Sequence, residues 1–154
     1  ALDMSYFGQD VAPDGGILAA TVWGDILTEI AHVKGIAGTM IDGINRDTSL
    51  ALKHGYPIYA RDSWMRTGKD RVQVEATGIP VNIGDVRVCP GDLIRGDADG
   101  VVVLPREHED KVLDTAENIQ KAEDAIRESV RAGMTLRDAR VKHGYHQLQT
   151  REVK

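Results

Sequence analysis

The sequence predicts an α/β fold followed by a compact β region and a long C-terminal helix. Three observations carry this reading of the 154-residue chain. A helix, strand, turn, helix, strand succession runs through residues 25–60. Four short apolar runs, separated by turn residues, follow between residues 81 and 104. One helical period then holds from Val112 to Val130.

Residues 1–16, rich in Gly, Asp and Pro, are expected to form a loop or short edge element. One folded domain over 17–133 and a polar tail over 134–154, its last fifteen or so residues frayed, complete the expected organisation. Ile17 to Trp23 is apolar and fits either helix or strand. In the helix that follows, Asp25 is the expected N-cap, Ile26, Ile30 and Val33 share one face, and Gly35 stands where a C-terminal glycine belongs. Ile36 to Asp42 reads as a buried strand, Gly43 to Asp47 as the turn leaving it, Thr48 to His54 as a short helix ending at Gly55, and Pro57 to Ala60 as a strand parallel to the first. Ser63 to Asp70 is a polar loop, and Arg71 to Ala76 alternates as a half-buried strand should. Strands are expected near Val81, at Val86–Cys89, Leu93–Arg95 and Val101–Leu104. They are separated by Gly84-Asp85, Pro90-Gly91 and Asp97 to Gly100. Beyond Pro105, the spacing Val112, Leu113, Ala116, Ile119, Ala122, Ile126, Val130 predicts an amphipathic helix ended by Gly133. Its single apolar stripe needs a cover, either its own sheet or a neighbouring subunit.

Composition excludes several classes. Nineteen Lys and Arg against twenty-four Asp and Glu give a net charge of −5, which argues against a nucleic-acid binder. No apolar run approaches the ~18 residues of a membrane span, and Ala1 to Asp10 lacks the pattern of a signal peptide. The single Cys89 allows no intrachain disulfide and no Cys-based metal site. A soluble, cytoplasmic protein is the expectation.

Asp42-Gly43-Ile44-Asn45-Arg46-Asp47 follows a buried strand, where α/β folds place ligand sites. Arg46 could grip a carboxylate and Asp47 a hard cation; alternatively, Asp47 caps the next helix and Arg46 is a surface residue. Gly24-Asp25-Ile26-Leu27 opens a helix whose free N–H groups favour an anion, or it is an ordinary capped start. Together the two motifs supply both halves of an anion-plus-metal pocket. Arg66 to Lys69 lacks the rest of a Walker loop, and Gly96 to Gly100 lacks the rest of a calcium loop. His143 and His146 have no further ligands nearby, His32 and His54 suit helix C-termini, and Trp23, Trp64 and Cys89 read as packing residues.

WGD at 23–25, HVKG at 32–35, IAGTMIDGINRD at 36–47, GYPIYAR at 55–61, PVNIGDVRVCPGD at 80–92 and GDADGVVVLPRE at 96–107 resemble the RraA-like family. That family comprises regulators of ribonuclease activity and 4-hydroxy-4-methyl-2-oxoglutarate/4-carboxy-4-hydroxy-2-oxoadipate aldolases. The likeness runs from about residue 17 to 133, the span it makes the catalytic domain; family members usually carry a further N-terminal segment. It implies a β/β/α fold of the swivelling-domain type, assembled as a homotrimer or dimer of trimers with sites between subunits. It also implies a class II pyruvate aldolase using Mg2+ or Mn2+ on a small 2-oxo acid, with oxaloacetate decarboxylase activity. The metal would be held at Asp47, largely through water, with Glu123 of a neighbour's C-terminal helix. Arg46 would contact the pyruvate moiety, the amides of Gly24, Asp25, Ile26 and Leu27 the substrate carboxylate, and Lys69 would complete the pocket. A base is needed for the 4-hydroxyl proton, and a water positioned by Asp25 or Asp47 is the expected agent. A non-enzymatic ribonuclease regulator acting by protein binding is the alternative; the intact Arg46-Asp47 and Gly24-Asp25 pairs favour the enzyme.

Overall fold

The computed structural model describes residues 20–148; the expected loop over 1–16 lies outside them. The described chain divides after Glu107 into two units.

In the first unit, β1 (Thr21–Trp23) leads through Gly24 into α1 (Asp25–Val33), and β2 (Thr39–Met40) and β3 (Ile44–Asn45) precede α2 (Thr48–His54). β4 (Ile58–Tyr59) and β5 (Asp62–Ser63) close this half. β3 lies between β1 and β5, and β2 pairs with β4, all in parallel as the helix-connected layout requires. The hairpins β6 (Val81–Ile83) with β7 (Val86–Val88) and β8 (Leu93–Asp97) with β9 (Gly100–Leu104) are antiparallel. Gly84, at positive φ in the β6–β7 turn, and Gly100, at positive φ where β9 begins after the β8–β9 turn, help fix their registers.

Two apolar clusters hold the unit. Trp23, Ala31, Ile41 and Tyr56 fill the space beneath α1, while Met40, Val81, Val88 and Ile94 join β2 to the hairpins. The second cluster is tight. A Cβ on Gly96 would sit 2.4 Å from the Tyr59 ring, so only glycine lets that ring lie on β8.

Asp42 ties the layers together. Its carboxylate accepts from the Arg61 guanidinium and from the Gly84 N–H at 3.0 Å, joining the end of β2 to the β6–β7 turn. Burial pushes its pKa up, but the Arg61 and Gly84 hydrogen bonds outweigh it and hold the carboxyl below its ordinary value.

The second unit holds α3 (Glu109–Arg131) and α4 (Leu136–Lys142), with Ile126 and Ala139 buried. Thr135 caps α4 by accepting from the Asp138 N–H at 3.2 Å, and Ser129 is hydrogen-bonded to His143 at 2.9 Å.

Five expectations need correction. The N-cap of α1 is Gly24, and Asp25 is the first helical residue. The face carrying Ile26, Ile30 and Val33 points outward, at 70%, 46% and 76% exposure, while Thr28 and Ala31 point inward. Arg71 to Ala76 pairs with no strand; its start is instead a turn in which the Arg71 and Val72 N–H groups donate to the Gly68 carbonyl. Residues 140–142, where the expected fraying begins, are helical as the end of α4, whose start Thr135 and Asp138 satisfy. Gly43 to Asp47, expected as a turn, includes β3.

Because the folded Asp42 carboxyl is depressed, its contribution is complete above its unfolded pKa and is lost as pH falls. Asp42→Asn is expected to destabilise the chain by about 1–2 kcal/mol at neutral pH. The difference from wild type should shrink below about pH 4 in urea titrations.

Candidate active site

Parallel strands present their carboxyl ends to one side, and both β1 and β3 end at the same cleft. Trp23 passes directly into the α1 N-terminus, and Asn45 directly into Arg46 and Asp47. The Arg46 N–H donates to the Trp23 carbonyl at 3.0 Å, so the two strand ends are locked side by side. A cleft of about 340 Å³ opens there. It is lined by Gly24, Asp25, Ile26, Leu27 and Arg46, with Lys69 facing them from a loop. These are all six residues expected to touch substrate.

Lys69 reaches the cleft through close backbone packing. Thr21 takes two hydrogen bonds to the Arg66 carbonyl, from its N–H at 3.1 Å and its hydroxyl at 2.9 Å. Gly68 then rests on β1 so closely that a Cβ would lie 2.2 Å from the Thr21 carbonyl oxygen.

Asp47 occupies the N-cap position of α2, but its side chain caps nothing there. Its backbone is left-handed (φ 59°), a conformation that Asp tolerates better than most residues. The carboxylate turns towards α1 instead. Its Oδ2 lies 3.5 Å from Arg46 Nε and 3.4 Å from the Asp25 N–H. Gly24 makes this approach possible, since a Cβ there would meet Asp47 Oδ2 at 3.1 Å and Arg46 Nε at 3.2 Å. The two open readings of Asp47 therefore coincide in position but not in chemistry.

The α1 amides are not equivalent. The Ile26 N–H is taken at 2.8 Å by the carboxylate of Asp25 itself, while the Leu27 N–H has no partner among the described residues. The first turn is braced from beneath: Trp23 Nε1 donates to Thr28 Oγ1 at 2.9 Å, and that hydroxyl donates to the Gly24 carbonyl at 3.0 Å. Sequence reasoning treated Trp23 as packing and did not single out Thr28. Glu123 lies on α3 in the second unit, where its carboxylate holds Arg127 at 3.0 Å. Among the described residues, no group of three or more His, Cys, Asp or Glu side chains could hold a metal ion.

Fold and cleft together define a mixed α/β protein with a charged pocket at the ends of its parallel strands and a long C-terminal helix. The family model RraA-like, Aldolase/RraA, matches residues 11–103, and the chain belongs to that family. Protein DlpA of Legionella pneumophila is 34% identical over 137 residues, covering 89% of this chain and 22% of its own length. A Halalkalibacterium halodurans protein named "Putative 4-hydroxy-4-methyl-2-oxoglutarate aldolase" is 36% identical over 113 residues, 73% of this chain and 53% of that protein. The crystal structure of an uncharacterised Pseudomonas syringae pv. tomato protein superposes with a TM-score of 0.77 at 38% identity, over 79% of this chain and 61% of that one. The chain thus spans only part of the length of the curated relatives it matches, 22% and 53% for these two. No helix among the described residues is long and apolar enough to cross a membrane.

Two glycine substitutions separate fold from site. Gly68→Ala forces backbone apart and is expected to cost about 2–3 kcal/mol in urea unfolding. Gly24→Ala, at an ordinary extended φ of −148°, should change stability by less than about 1 kcal/mol while displacing the Arg46 and Asp47 side chains. The Arg46 Nε–H resonance would report that displacement.

Proposed function

We propose that this chain forms the core of a divalent-metal-dependent aldolase that cleaves a 4-hydroxy-2-oxo dicarboxylic acid through a pyruvate enolate and also decarboxylates oxaloacetate. The observation that supports it most is the gathering of the α1 amides, Arg46 and Lys69 in one cleft, with the Asp47 carboxylate at its edge. Cationic and N–H groups suit the carboxylates of such a substrate, and the aldolase-named relative points to the same chemistry.

The residues fit a hard cation. The Asp47 side chain is 38% exposed, and its Oδ1 accepts no hydrogen bond among the described residues. Mg2+ and Mn2+ are commonly held by one or two carboxylates, with water and substrate oxygens completing the shell, so a single Asp suffices. When bound, the metal would supply Lewis-acid stabilisation of charge on the 2-oxo group.

The chain's own groups perform the remaining work. The Leu27 N–H and the α1 dipole hold the C1 carboxylate, and Lys69 holds the distal one. Asp25 or Asp47 positions a water that takes the 4-hydroxyl proton. The O–H pair then forms the new C4 carbonyl as the C3–C4 bond breaks, and the bond pair moves onto the pyruvate fragment as an enolate. Arg46 stabilises the developing charge on the C2 oxygen, and protonation at C3 releases pyruvate. Glu123, from another copy in a trimeric assembly, would add a second carboxylate to hold the metal. Residues 17–133 form the catalytic domain of a cytoplasmic enzyme.

Pyruvate release from oxaloacetate and from 4-hydroxy-4-methyl-2-oxoglutarate, with Mn2+ and then with EDTA, tests the reading. EDTA-sensitive turnover is expected; silence with both substrates in folded protein turns the assignment to the ribonuclease-regulator alternative. Arg46→Lys keeps the charge but loses the planar fork, and is expected to lower kcat/KM by about 10²-fold. Asp47→Asn and Glu123→Gln should each weaken Mn2+ binding by ~10–100-fold in calorimetric titration. Unchanged affinity in both would remove them from the metal site.

A further inference from the structure

The four-residue segment Asn45-Arg46-Asp47-Thr48 serves two clefts. Arg46 lines the candidate active site and Asp47 borders it, whereas Asn45 and Thr48 line a second cleft of about 210 Å³ with Ala51, Ile58, Asp62 and Ser63. That volume equals roughly seven water molecules, enough for a small organic molecule.

Asn45 makes this cleft unusual. It is 3% exposed, yet among the described residues its side-chain amide has one hydrogen bond, from Ser63 Oγ to Oδ1 at 3.0 Å. A primary amide carries two donors and an acceptor, and leaving part of it unpaired at this depth is costly. The unpaired Nδ2 belongs to a side chain that lines the cleft. On the same wall, Asp62 accepts one hydrogen bond through Oδ1, from the Ser63 N–H, and Oδ2 has no partner among the described residues. No Lys or Arg lines the space, while Ala51 and Ile58 give it apolar walls.

We propose that this cleft is a binding site for a small uncharged molecule carrying a primary carboxamide on a short alkyl body. The ligand carbonyl accepts from Asn45 Nδ2, its NH2 donates to the Asp62 carboxylate, and its alkyl group covers Ala51 and Ile58. A carboxylate ligand is disfavoured by Asp62, which no lining cation offsets. An ammonium ligand is disfavoured by the Asn45 donors. The site is independent of the aldolase reading, since its occupant need not be turned over.

Three probes that share one isopropyl body test the head group: isobutyramide, isobutyrate and isobutylammonium, each titrated into the 15N-labelled chain. Isobutyramide is expected to give saturable shifts of the Asn45 side-chain NH2 and of the Thr48 and Ser63 backbone N–H groups, with neither charged probe saturating. Asn45→Leu should weaken isobutyramide at least ~10-fold. Asp62→Asn, at an exposed position that leaves the buried core untouched, should weaken it several-fold and improve isobutyrate. Unsaturable shifts with all three probes, preference for a charged probe, or unchanged isobutyramide affinity in folded Asp62→Asn would each overturn the proposal.

Discussion

The positions of the groups that line the candidate site depend on the hydrogen bonds made by two residues of β1, Thr21 and Trp23. Through its N–H and hydroxyl, Thr21 fixes Arg66 and hence the loop bearing Lys69. The carbonyl of Trp23 fixes Arg46, and its indole fixes Thr28 and the opening turn of α1. Thr21, Trp23 and Thr28 are at most 3% exposed, so water cannot replace any of these bonds when it is broken. Each contributes on the order of 1 kcal/mol when made and costs more when left open. The cleft is therefore set by buried backbone geometry, with conformational freedom remaining mainly at the tips of Arg46 and Lys69.

Asp47 is the point at which local stability yields to the site. An Asp before a helix ordinarily turns its carboxylate onto the amides of that helix. Here the left-handed backbone directs it across the cleft to the start of α1, and α2 begins with only the backbone bond from the Leu50 N–H to the Asp47 carbonyl. Strain and a forgone cap are both unfavourable, and Arg46 with the α1 dipole offsets them in part. The outcome is a partly exposed carboxylate beside a guanidinium and the start of α1, where the Leu27 N–H is free among the described residues, an arrangement suited to an anionic substrate that brings oxygens of its own.

Much of the fold was legible because glycine and proline punctuate it. Gly35, Gly55, Gly84, Gly100 and Gly133 all mark ends or turns at positive φ. What misled was periodicity without a partner. Ile26, Ile30 and Val33 keep helical spacing, and Val72 and Val74 alternate, yet the first set faces outward and the second finds no strand. Of the six residues expected to touch substrate, Gly24 to Leu27 stood out as a helix N-terminus and Arg46 as a residue of the turn after a strand, and Lys69 came from the family resemblance; their convergence was not readable from spacing. Asp25 and Asp47 are 22 positions apart, and Thr21 and Arg66 are 45 apart. Gly68 joins the latter pair, and nothing in its immediate neighbours announces that it must lie against a strand. Thr28 was missed for the same reason: its role depends on an indole five residues earlier.

The buried polar side chains separate structure from recognition. Thr21 donates to a carbonyl, Thr28 both accepts and donates, and Thr39 shares a 2.6 Å bond with the Tyr56 hydroxyl, whose pKa is raised by burial. Each threonine has one hydroxyl to satisfy, and each has a partner within the unit. Asn45 is buried to the same depth but has more capacity than the fold uses among the described residues. A valine or leucine in β3 would fill that space without an unpaired amide, so packing alone gives no reason for asparagine. Polarity that the fold does not need is best explained by a partner that does.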